Sequence, residues 1–467
     1  MANLTESEYQ QQMRRERERR RRHEQRRRAH VRKQRIVFGG GGLLLVLLLV
    51  LIVRGCTRQP QAVSPIKSTA NLKVLPEVIW DGDEPEDGAA PAEEQGRVIT
   101  LAAVGDIMCY DEQMEDADTG AGYDFTPVFA QVKDVLSAAD LAVGNLETTF
   151  ADGNPYEGKP DFNTPPEMAA ALADAGFDVL STANTYSIQY GINGLYSTLL
   201  HVQQAGMDAV GTYYDASDRN ENGGAVIRDV GGVKVAFLAY TKGVNNMYLP
   251  DGYEYSVNLL YDDYYYAYTG FRKSEILSDI QAAKDAGADI LVCMLHWGSE
   301  YETEISDSQK EIADTLLSAG VNVILGSHSH VVGPVELREV TGSDGQTRQG
   351  LVAWSLGNFY SLMTREGTME SMILQIGLRV DGEGGVSFDS VSFVPVCTSY
   401  DGAGENFRIT NIPLQVDKYL AVAADAVDAA TYEALQGAAR RVEKRVGDGY
   451  LPQTGAEPAD GSGGETP

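Results

Sequence analysis

Short apolar runs of strand length recur along the chain, and each ends in small or polar residues. Helix-like stretches separate several of them, and three of these stretches end at glycine. Uninterrupted apolar runs are typical of strands buried on both faces, as in parallel sheets covered by helices. The alternation therefore predicts an α/β domain. The predicted strands are residues 97–106, 141–147, 178–184, 234–241, 289–296 and 321–326, and the predicted helices are 167–175, 194–206, 274–287 and 306–320.

The pattern changes after residue 350. Three further strand candidates, 351–356, 371–380 and 386–396, follow one another with Gly-rich links of the kind that join hairpins. We expect them to form a second sheet packed on the first. Residues 414–446 are rich in Ala and charged side chains and are predicted to be helical. The predicted fold class is thus α/β, a two-sheet sandwich flanked by helices.

An uncharged run of 17 residues, 37–53, reaches the lower edge of the length that a transmembrane helix requires. Residues 1–35 hold 13 Lys or Arg against 5 Asp or Glu. Because positive charge favours the cytoplasmic side, we predict a basic cytoplasmic arm (1–35), a transmembrane signal anchor (36–54) and an extracellular main domain. This is the topology of a single-pass protein of the cell membrane. A cleavable signal peptide is the alternative, but the basic region is long and no small-x-small cleavage site follows.

The remaining segments differ in composition. Residues 55–96 are acidic and Pro-rich and predict an extended stalk, 97–400 hold the predicted main domain, and 401–450 form a C-terminal extension with a helix. Residues 451–467 are rich in Gly, Pro and acidic side chains and are predicted to be disordered. They begin with Leu451-Pro-Gln-Thr-Gly455, which fits the sortase pattern without a following hydrophobic segment, so coincidence, relic and used signal all stay open.

The chain carries 67 Asp or Glu against 38 Lys or Arg, a formal net charge of -29, although its N-terminal arm is basic. The main domain is therefore strongly acidic, and like charges oppose its approach to nucleic acid or anionic lipid. We predict no nucleic-acid partner for this reason. The four cysteines are too few for a disulfide scaffold, and the sequence leaves open whether one pair forms a bridge.

Three of the six histidines, His296, His328 and His330, follow apolar strand-like runs. Imidazole is the commonest neutral ligand for transition ions, and a His-x-His pair after a buried strand presents two rings at the open end of a sheet. These positions favour a metal site. The alternative is that they are loop or capping histidines without a ligand.

Other polar residues follow the remaining strands, namely Asp106, Asn145, Glu147 and Asn184. Open α/β sheets bind ligands at the carboxyl ends of their strands, so we expect these side chains to meet the histidines at one edge. Carboxylate, amide and imidazole groups together suit Mn, Fe or Zn, and two such ions can clamp a phosphate and activate water. Any one of the acidic residues could instead cap a helix.

The order of six motifs along residues 98–396 resembles the CapA family of capsule synthesis, which acts in poly-γ-glutamate biosynthesis. The motifs are Gly105-Asp-Ile-Met108, Gly144-Asn-Leu-Glu147, the Ala183-Asn block with Tyr190-Gly-x-x-Gly-Leu195, Leu295-His-Trp-Gly-x-Glu-Tyr301, Gly326-x-His-x-His330 and Trp354-Ser-Leu-Gly-Asn-Phe359.

The resemblance implies the two-sheet fold of calcineurin-like metallophosphoesterases and a divalent metal site that is dinuclear in that superfamily. It makes Asp106 and Glu147 anionic ligands and His296, His328 and His330 imidazole ligands. On the same basis Asp106, Glu147, His296 and His328 are the candidate catalytic residues. The implied partners are an envelope polymer, such as poly-γ-glutamate, and a membrane complex that polymerises and exports it.

The third motif departs from the family pattern. The family has Ala-Asn-Asn-His-x-x-Asp-Tyr-Gly, and this chain has Thr185, Tyr186 and Gln189 in place of the second Asn, the His and the Asp. In metallophosphoesterases the Asn-His pair supplies a metal ligand and a His that stabilises the transition state or protonates the leaving group. We therefore expect weak or absent activity toward simple phosphoesters. The alternative is that the site is adapted to a different substrate, because Tyr can donate a hydrogen bond where the family has His.

The candidate substrate-binding residues are Asn145, Asn184, Tyr186, Trp297, Glu300 and Asn358. Core packing is the alternative for Trp297, since Trp is usually highly buried. Residues 241–268 are unusually rich in Tyr, which suits either binding of an extended polymer or a partly buried lid.

The expected function is that of a membrane-anchored, extracytoplasmic, CapA-like protein in the synthesis, attachment or trimming of a capsule or envelope polymer. A metal-dependent hydrolase-type site would do this work. The rival is a non-catalytic envelope binding or scaffold protein on the same fold.

Overall fold

The computed structural model describes residues 96–342 and 345–450. The predicted basic arm, signal anchor, nearly all of the predicted stalk, and the predicted tail with its sortase-like motif lie outside these residues. In the described ranges, no helix has both the length and the apolar character needed to cross a bilayer.

The first sheet has eight strands and is built around β1. Its strands are β1 (Arg97–Ile107), β2 (Leu141–Leu146), β3 (Val179–Ser181), β4 (Asp208–Val210), β13 (Asn358–Tyr360), β14 (Glu370–Val380), β15 (Val386–Ser399) and β16 (Arg408–Asn411). The order is β16-β15-β14-β1-β2-β3-β4, and the short β13 also pairs with β1. Strands β1 to β4 run parallel to one another, whereas β14 to β16 are antiparallel.

The second sheet has six strands in the order β11-β12-β10-β9-β6-β5. These are β5 (Val226–Val230), β6 (Val233–Thr241), β9 (Ile290–His296), β10 (Val323–Ser327), β11 (Val335–Thr341) and β12 (Thr347–Ala353). The four central strands are parallel, so their carboxyl ends lie at one edge. A separate two-stranded ribbon consists of β7 (Tyr261–Asp263) and β8 (Thr269–Phe271).

Helices pack around the two sheets. They are α1 (Asp111–Ala117), α2 (Thr126–Phe129), α3 (Lys133–Ser137), α4 (Glu167–Ala175), α5 (Gly191–Gln204), α6 (Ala216–Asn220), α7 (Lys273–Asp285), α8 (Asp307–Ser318), α9 (Ile412–Leu420) and α10 (Ala429–Val446). Helices α1 to α4 pack on the first sheet, and α7 and α8 pack on the second. Helix α10 lies against β14 and β15.

The main core lies between the two sheets. In β1, Leu101 and Ala103 belong to this core, while Ala102 and Val104, which alternate with them along the strand, pack toward the helices. Phe237 from the second sheet lies in the same inter-sheet core. Both faces of the central strands are therefore buried, which is why their sequences are continuously apolar. The predicted two-sheet α/β core with flanking helices is confirmed.

The predicted composition of the second sheet is wrong. Of the three late strand candidates only 351–356 contributes to it, through residues 351–353 at the end of β12 beside β10. The other two, β14 and β15, extend the first sheet, because β14 pairs with β1 along Arg97–Ala103. A strand's apolar pattern does not encode its partner, which depends on contacts far apart in sequence. The predicted helical region 414–446 is two helices, α9 and α10.

The three cysteines in the described part of the chain, Cys109, Cys293 and Cys397, are buried free thiols. Each lies in a different hydrophobic cluster, where a thiol behaves as a small apolar group. The possible disulfide is therefore not formed among these three residues.

Candidate metal centre

The predicted ligands come together where strand ends of the two sheets meet. Asp106 lies near the end of β1 and Glu147 follows β2, both in the first sheet. His296 ends β9, and His328 and His330 follow β10 in the second sheet. The expectation of one edge of a single sheet is thus corrected: each sheet supplies part of the centre.

Two glycines allow the strands to approach one another here. A Cβ atom on Gly105 would overlap the carbonyl oxygen of Gly357, and one on Gly326 would overlap that of Trp354. Each glycine precedes a candidate ligand by one or two residues. The Gly-Asp and Gly-Ser-His motifs are therefore required by backbone packing as well as by chemistry.

Asp106, Glu147 and His330 form the first group of potential ligand atoms, all within 4.8 Å of one another. The Nδ1 atom of His330 lies 3.1 Å from Oδ2 of Asp106 and 3.9 Å from Oε2 of Glu147. All three side chains are buried. Two carboxylates and one imidazole are a donor set suited to a divalent transition ion.

Glu147, His296 and His328 form the second group, within the same limit of 4.8 Å. The Nε2 atom of His296 lies 3.0 Å from Nδ1 of His328 and 3.3 Å from Oε1 of Glu147. The hydroxyl of Thr185 lies 2.8 Å from the same Nε2 atom. Glu147 therefore belongs to both groups and directs one oxygen toward each.

The backbone at the His-x-His motif is held in an unfavourable conformation. His328 has φ 86° and His330 has φ 61°, in the left-handed region that residues other than glycine rarely adopt. Such residues cost on the order of 1–3 kcal/mol each and concentrate at functional sites. The backbone N–H of His328 donates to Oδ2 of Asp106 at 3.2 Å, which ties the motif to β1.

Burial and mutual charge shift the acidities of these groups. Burial opposes ionisation of Asp106, but the hydrogen bond and charge of His330 outweigh it and hold the pKa of Asp106 below its usual value. Burial raises the pKa of Glu147, and the charge of Asp106 adds to the rise. Burial lowers the pKa of His328 well below normal. For His330, the charges of Glu147 and Asp106 outweigh burial and raise the pKa to about 9.

The residues fit a divalent cation. The Oε2 atom of Glu147 is buried and has no hydrogen-bond partner among the described residues. Leaving a carboxylate oxygen buried and unpaired is costly, and a cation at this position removes the cost. Carboxylate and imidazole donors suit Mn, Fe or Zn. The two groups would hold one ion or two ions that share Glu147.

Two amides support the centre. Nδ2 of Asn145 donates to Oδ1 of Asp106 at 2.7 Å and lies 3.3 Å from Nδ1 of His296. Oδ1 of Asn145 accepts from Nδ2 of Asn184 at 3.2 Å. Oδ1 of Asn184 accepts the backbone N–H of Tyr186 at 3.0 Å. Asn145 and Asn184, predicted as substrate-binding residues, form a hydrogen-bonded chain from the candidate ligand Asp106 to the backbone of the third motif.

The altered third motif contributes contacts but no carboxylate or imidazole. Thr185 contacts His296, as described above, and the ring of Tyr186 packs on Phe162 with a centroid distance of 4.8 Å. Gln189 bridges two loops, since its Nε2 donates to Asp161 at 2.6 Å and its Oε1 accepts from Asn245 at 2.7 Å.

The remaining predicted substrate-binding residues occupy different surroundings. Trp297 is buried, stacks on Trp354 at 5.4 Å and donates its indole N–H to the carbonyl of the same residue, so it lies in the core, the alternative considered for it. Glu300 is exposed. Asn358 is buried beside His330. The Tyr-rich segment is divided, because Tyr261 is buried whereas Tyr248 and Tyr266 are exposed.

Lys242 is a cation near the centre that the sequence analysis missed. Its Nζ donates to the carbonyl of Gly298 at 2.5 Å and lies 4.2 Å from the ring centroid of Tyr268. Burial lowers its pKa, and its charge disfavours protonation of His328. Lys242 directly follows β6, whose Thr241 pairs with His296. The search for polar residues directly after predicted strands, which found the other residues, would have found Lys242 after the predicted strand 234–241.

A two-sheet α/β domain with a buried carboxylate and imidazole centre defines the class of this protein. Residues 100–363 match the family model described as "Bacterial capsule synthesis protein PGA_cap". The match covers more than half of the chain, so the chain belongs to this family, and the resemblance to CapA proteins is confirmed.

Curated relatives share this family character. The chain is 28% identical over 290 residues to "PGA biosynthesis protein CapA" of Bacillus subtilis, covering 62% of this chain and 70% of the relative. It is 28% identical over 306 residues to "Capsule biosynthesis protein CapA" of Bacillus anthracis, covering 63% and 68% respectively. Among solved structures, the calcineurin-like phosphoesterase YfkN of Bacillus subtilis aligns at 14% identity with a TM-score of 0.38, covering 75% of this chain and 97% of that one.

Proposed function

We propose that this protein is a membrane-anchored, extracytoplasmic component of capsule or envelope polymer assembly. In this proposal it synthesises, attaches or trims a polymer such as poly-γ-glutamate through a metal-dependent hydrolase-type site. Membership of the capsule synthesis family supports the biological setting, as do relatives named for capsule and PGA biosynthesis. The basic residues 1–35 and the apolar run 37–53 support anchoring with the main domain outside.

The placement of Glu147 carries the chemical part of the proposal. One of its oxygens lies 3.3 Å from His296, and the other lies 3.9 Å from His330 and has no hydrogen bond among the described residues. A carboxylate with one oxygen toward each ligand group is suited to share two cations. We therefore assign metal binding to Asp106, Glu147, His296, His328 and His330.

A divalent ion held there supplies Lewis acidity toward a substrate oxygen and makes water a stronger acid. The chain's own groups orient the centre and the substrate. Asn145 holds Asp106, and Thr185 contacts His296. Lys242 adds a positive charge beside His328, which favours an anionic substrate. Glu300 and Tyr186 are proposed to contact the substrate beside the metal centre.

The proposal is tested on the purified full-length chain. Metal stoichiometry is measured by elemental analysis, and turnover is measured on model phosphodiesters and on γ-linked glutamate oligomers. We expect one or two ions per chain and a metal-dependent cleavage that Glu147→Gln abolishes. His201→Ala is the matched control, because His201 pairs with Asp152 away from the centre. A folded wild-type chain without bound metal would refute the site.

A non-catalytic scaffold is the second candidate, and the third motif is the observation that favours it. Thr185, Tyr186 and Gln189 supply no carboxylate ligand or imidazole acid at this position. Metal binding and polymer binding without cleavage of any tested substrate would support this role. In that case His328→Ala should lower polymer affinity only through loss of metal.

A further inference from the structure

An aromatic cluster lies beside the metal centre, and no role has so far been given to most of it. Tyr110, Tyr186 and Tyr301 are partly buried and pack against Met108, Phe162 and Met363. Phe162 links two of the tyrosines, with ring centroids 5.2 Å from Tyr110 and 4.8 Å from Tyr186. We call Tyr110, Tyr186 and Tyr301 the tyrosine wall.

Each member of the tyrosine wall is attached to a different part of the centre. Tyr110 follows Asp106 by four residues. The backbone N–H of Tyr186 donates to Asn184, which in turn donates to Asn145. The backbone N–H of Tyr301 donates at 2.8 Å to the carbonyl of Ser329, between the two ligand histidines. Three separate motifs thus deliver phenol rings to the same place.

Two of the hydroxyl groups lack a strong partner. The Tyr110 hydroxyl is buried and makes no hydrogen bond of normal geometry among the described residues, although Ser361 lies close enough to interact with it. The Tyr186 hydroxyl likewise donates to no group in residues 96–342 and 345–450, where its contacts are through the ring. Buried hydroxyls are normally satisfied, so the Tyr110 hydroxyl indicates a ligand, and the unpartnered Tyr186 hydroxyl is available to the same ligand.

Charge identifies the kind of ligand. Glu147 and Glu300 both interact electrostatically with Tyr110 and Tyr186, so the two phenols lie near these carboxylates. A divalent cation held at Glu147 would offset the negative charge of the nearby carboxylates, and the guanidinium of Arg365 adds positive charge at 4.3 Å from the ring of Tyr301. Phenols are protonated at neutral pH and donate strongly to anionic oxygens.

We propose that Tyr110 and Tyr186 donate hydrogen bonds to an anionic oxygen of the substrate beside Glu147. This inference rests on the proposed function and specifies which part of the substrate the centre recognises. The oxygen belongs to a phosphoryl group or to a carboxylate, which share this chemistry. Tyr186 then binds the substrate as a donor at the position where the family resemblance implies a histidine.

The test distinguishes the contribution of the tyrosine hydroxyl groups to binding from that of the aromatic rings. In the metal-loaded full-length chain, the affinities for inorganic phosphate and for γ-linked triglutamate are measured by calorimetry. Tyr110→Phe and Tyr186→Phe should each weaken binding roughly tenfold, as expected for a lost hydrogen bond to a charged acceptor. Tyr186→His retains a donor and should restore most of the affinity. Tyr400→Phe is the control, because Tyr400 is exposed and packs on Phe407.

The outcomes are distinguishable. Weakened phosphate binding with unchanged triglutamate binding assigns the oxygen to a phosphoryl group, and the reverse assigns it to a carboxylate. Metal content should be equal in all variants, which shows that they fold and that the centre is intact. Unchanged affinity for both probes, or no binding of either probe to the metal-loaded chain, overturns the inference alone. A folded chain that binds no metal overturns the proposed function and this inference with it.

Discussion

The side-chain oxygen of Asn358 lies 2.9 Å from Nδ1 of His330. Its orientation is fixed from the other end of the amide, because Nδ2 of Asn358 donates to the carbonyl of Thr368 at 3.0 Å. The same His330 nitrogen lies 3.1 Å from Oδ2 of Asp106. The amide therefore holds the imidazole ring in place relative to the carboxylates. Asn358, predicted as a substrate-binding residue, thus contacts the candidate ligand His330 directly.

Asn358→Ala should weaken metal binding. Removing a group that orients a ligand typically costs about 10- to 100-fold in metal affinity. A competition titration with a chelator measures this on the full-length chain, with Asn154→Ala as the control, because Asn154 hydrogen-bonds only within its own surface turn. Equal affinities in the two variants would show that Asn358 does not orient His330.

The segment that carries Thr368 is connected to the C-terminal helix. Glu370 begins β14 and is buried, and Nε of Arg441 donates to its Oε1 at 2.6 Å. Arg445 of the same helix lies 3.5 Å from Oε2 of Glu370 and from the carbonyl of Gly367. Helix α10 lies outside the region matched by the family model. It nevertheless fixes the backbone that orients Asn358.

Arg441→Met should therefore destabilise the fold and slightly weaken metal binding. The substitution removes one partner of the buried Glu370 carboxylate. Because Arg441 is about half exposed, we expect the free energy of unfolding to fall by about 1–2 kcal/mol, less than is typical when a fully buried pair is broken. Urea unfolding gives the free energy. Arg440→Met on the exposed side of the same helix should change it by less than about 0.5 kcal/mol. Identical unfolding curves for the two variants would contradict the assigned role of Arg441.

The sequence predicted the cluster of candidate ligands better than the contacts that support it. Asp106, His296 and His328 are found at or just after strand ends, because an apolar run followed by a polar residue is a local signal. The pairing of β14 with β1, by contrast, depends on contacts about 270 residues apart along the chain and leaves no local trace. For a related reason Lys242 was missed, and Thr185 was noted only as a departure from the family motif. Their importance lies in proximity to His296 and His328, which only the folded chain creates.

A buried ion pair away from the centre gives a test of the fold itself. Arg219 forms two hydrogen bonds with Asp279, at 3.1 and 2.8 Å, and the hydroxyl of Tyr240 also donates to Asp279 at 2.8 Å. Asp279→Asn leaves the buried guanidinium with only the half-exposed Glu275, at 3.2 Å, as a counter-charge, so we expect a loss of up to about 3–5 kcal/mol in the free energy of unfolding. Urea unfolding measures the cost, and Asp262→Asn is the control, because Asp262 pairs with Arg272 at the exposed surface.

The same residue predicts a pH effect. Burial outweighs Arg219 and raises the pKa of Asp279 above its usual value. In the interval between the unfolded and folded pKa values the folded chain binds more protons, so this group's contribution to stability falls as pH rises through that interval. Asp279→Asn should remove this slope from a plot of unfolding free energy against pH. A slope that persists unchanged would assign it to other groups.

The third motif provides the sharpest test of the hypothesis that Thr185, Tyr186 and Gln189 weaken the activity of the site. Replacing Thr185 by Asn puts an amide where the hydroxyl lies 2.8 Å from His296, and replacing Tyr186 by His restores a general acid, a role worth about 10²- to 10⁴-fold in rate. We expect the double variant Thr185→Asn, Tyr186→His to bind metal more tightly or to cleave simple phosphoesters faster.

Adding Gln189→Asp should reverse part of this gain. Gln189 donates to Asp161 at 2.6 Å, so an aspartate there would set two carboxylates against each other and lose the bond to Asn245. The triple variant should therefore be less stable than the double variant, by about 1–3 kcal/mol. Stability, metal content and phosphoester turnover of the wild type, double and triple variants are measured together. If the wild type already cleaves simple phosphoesters efficiently and the double variant lowers both metal binding and turnover, then Thr185 and Tyr186 belong to an active site organised for a different substrate rather than to a weakened one.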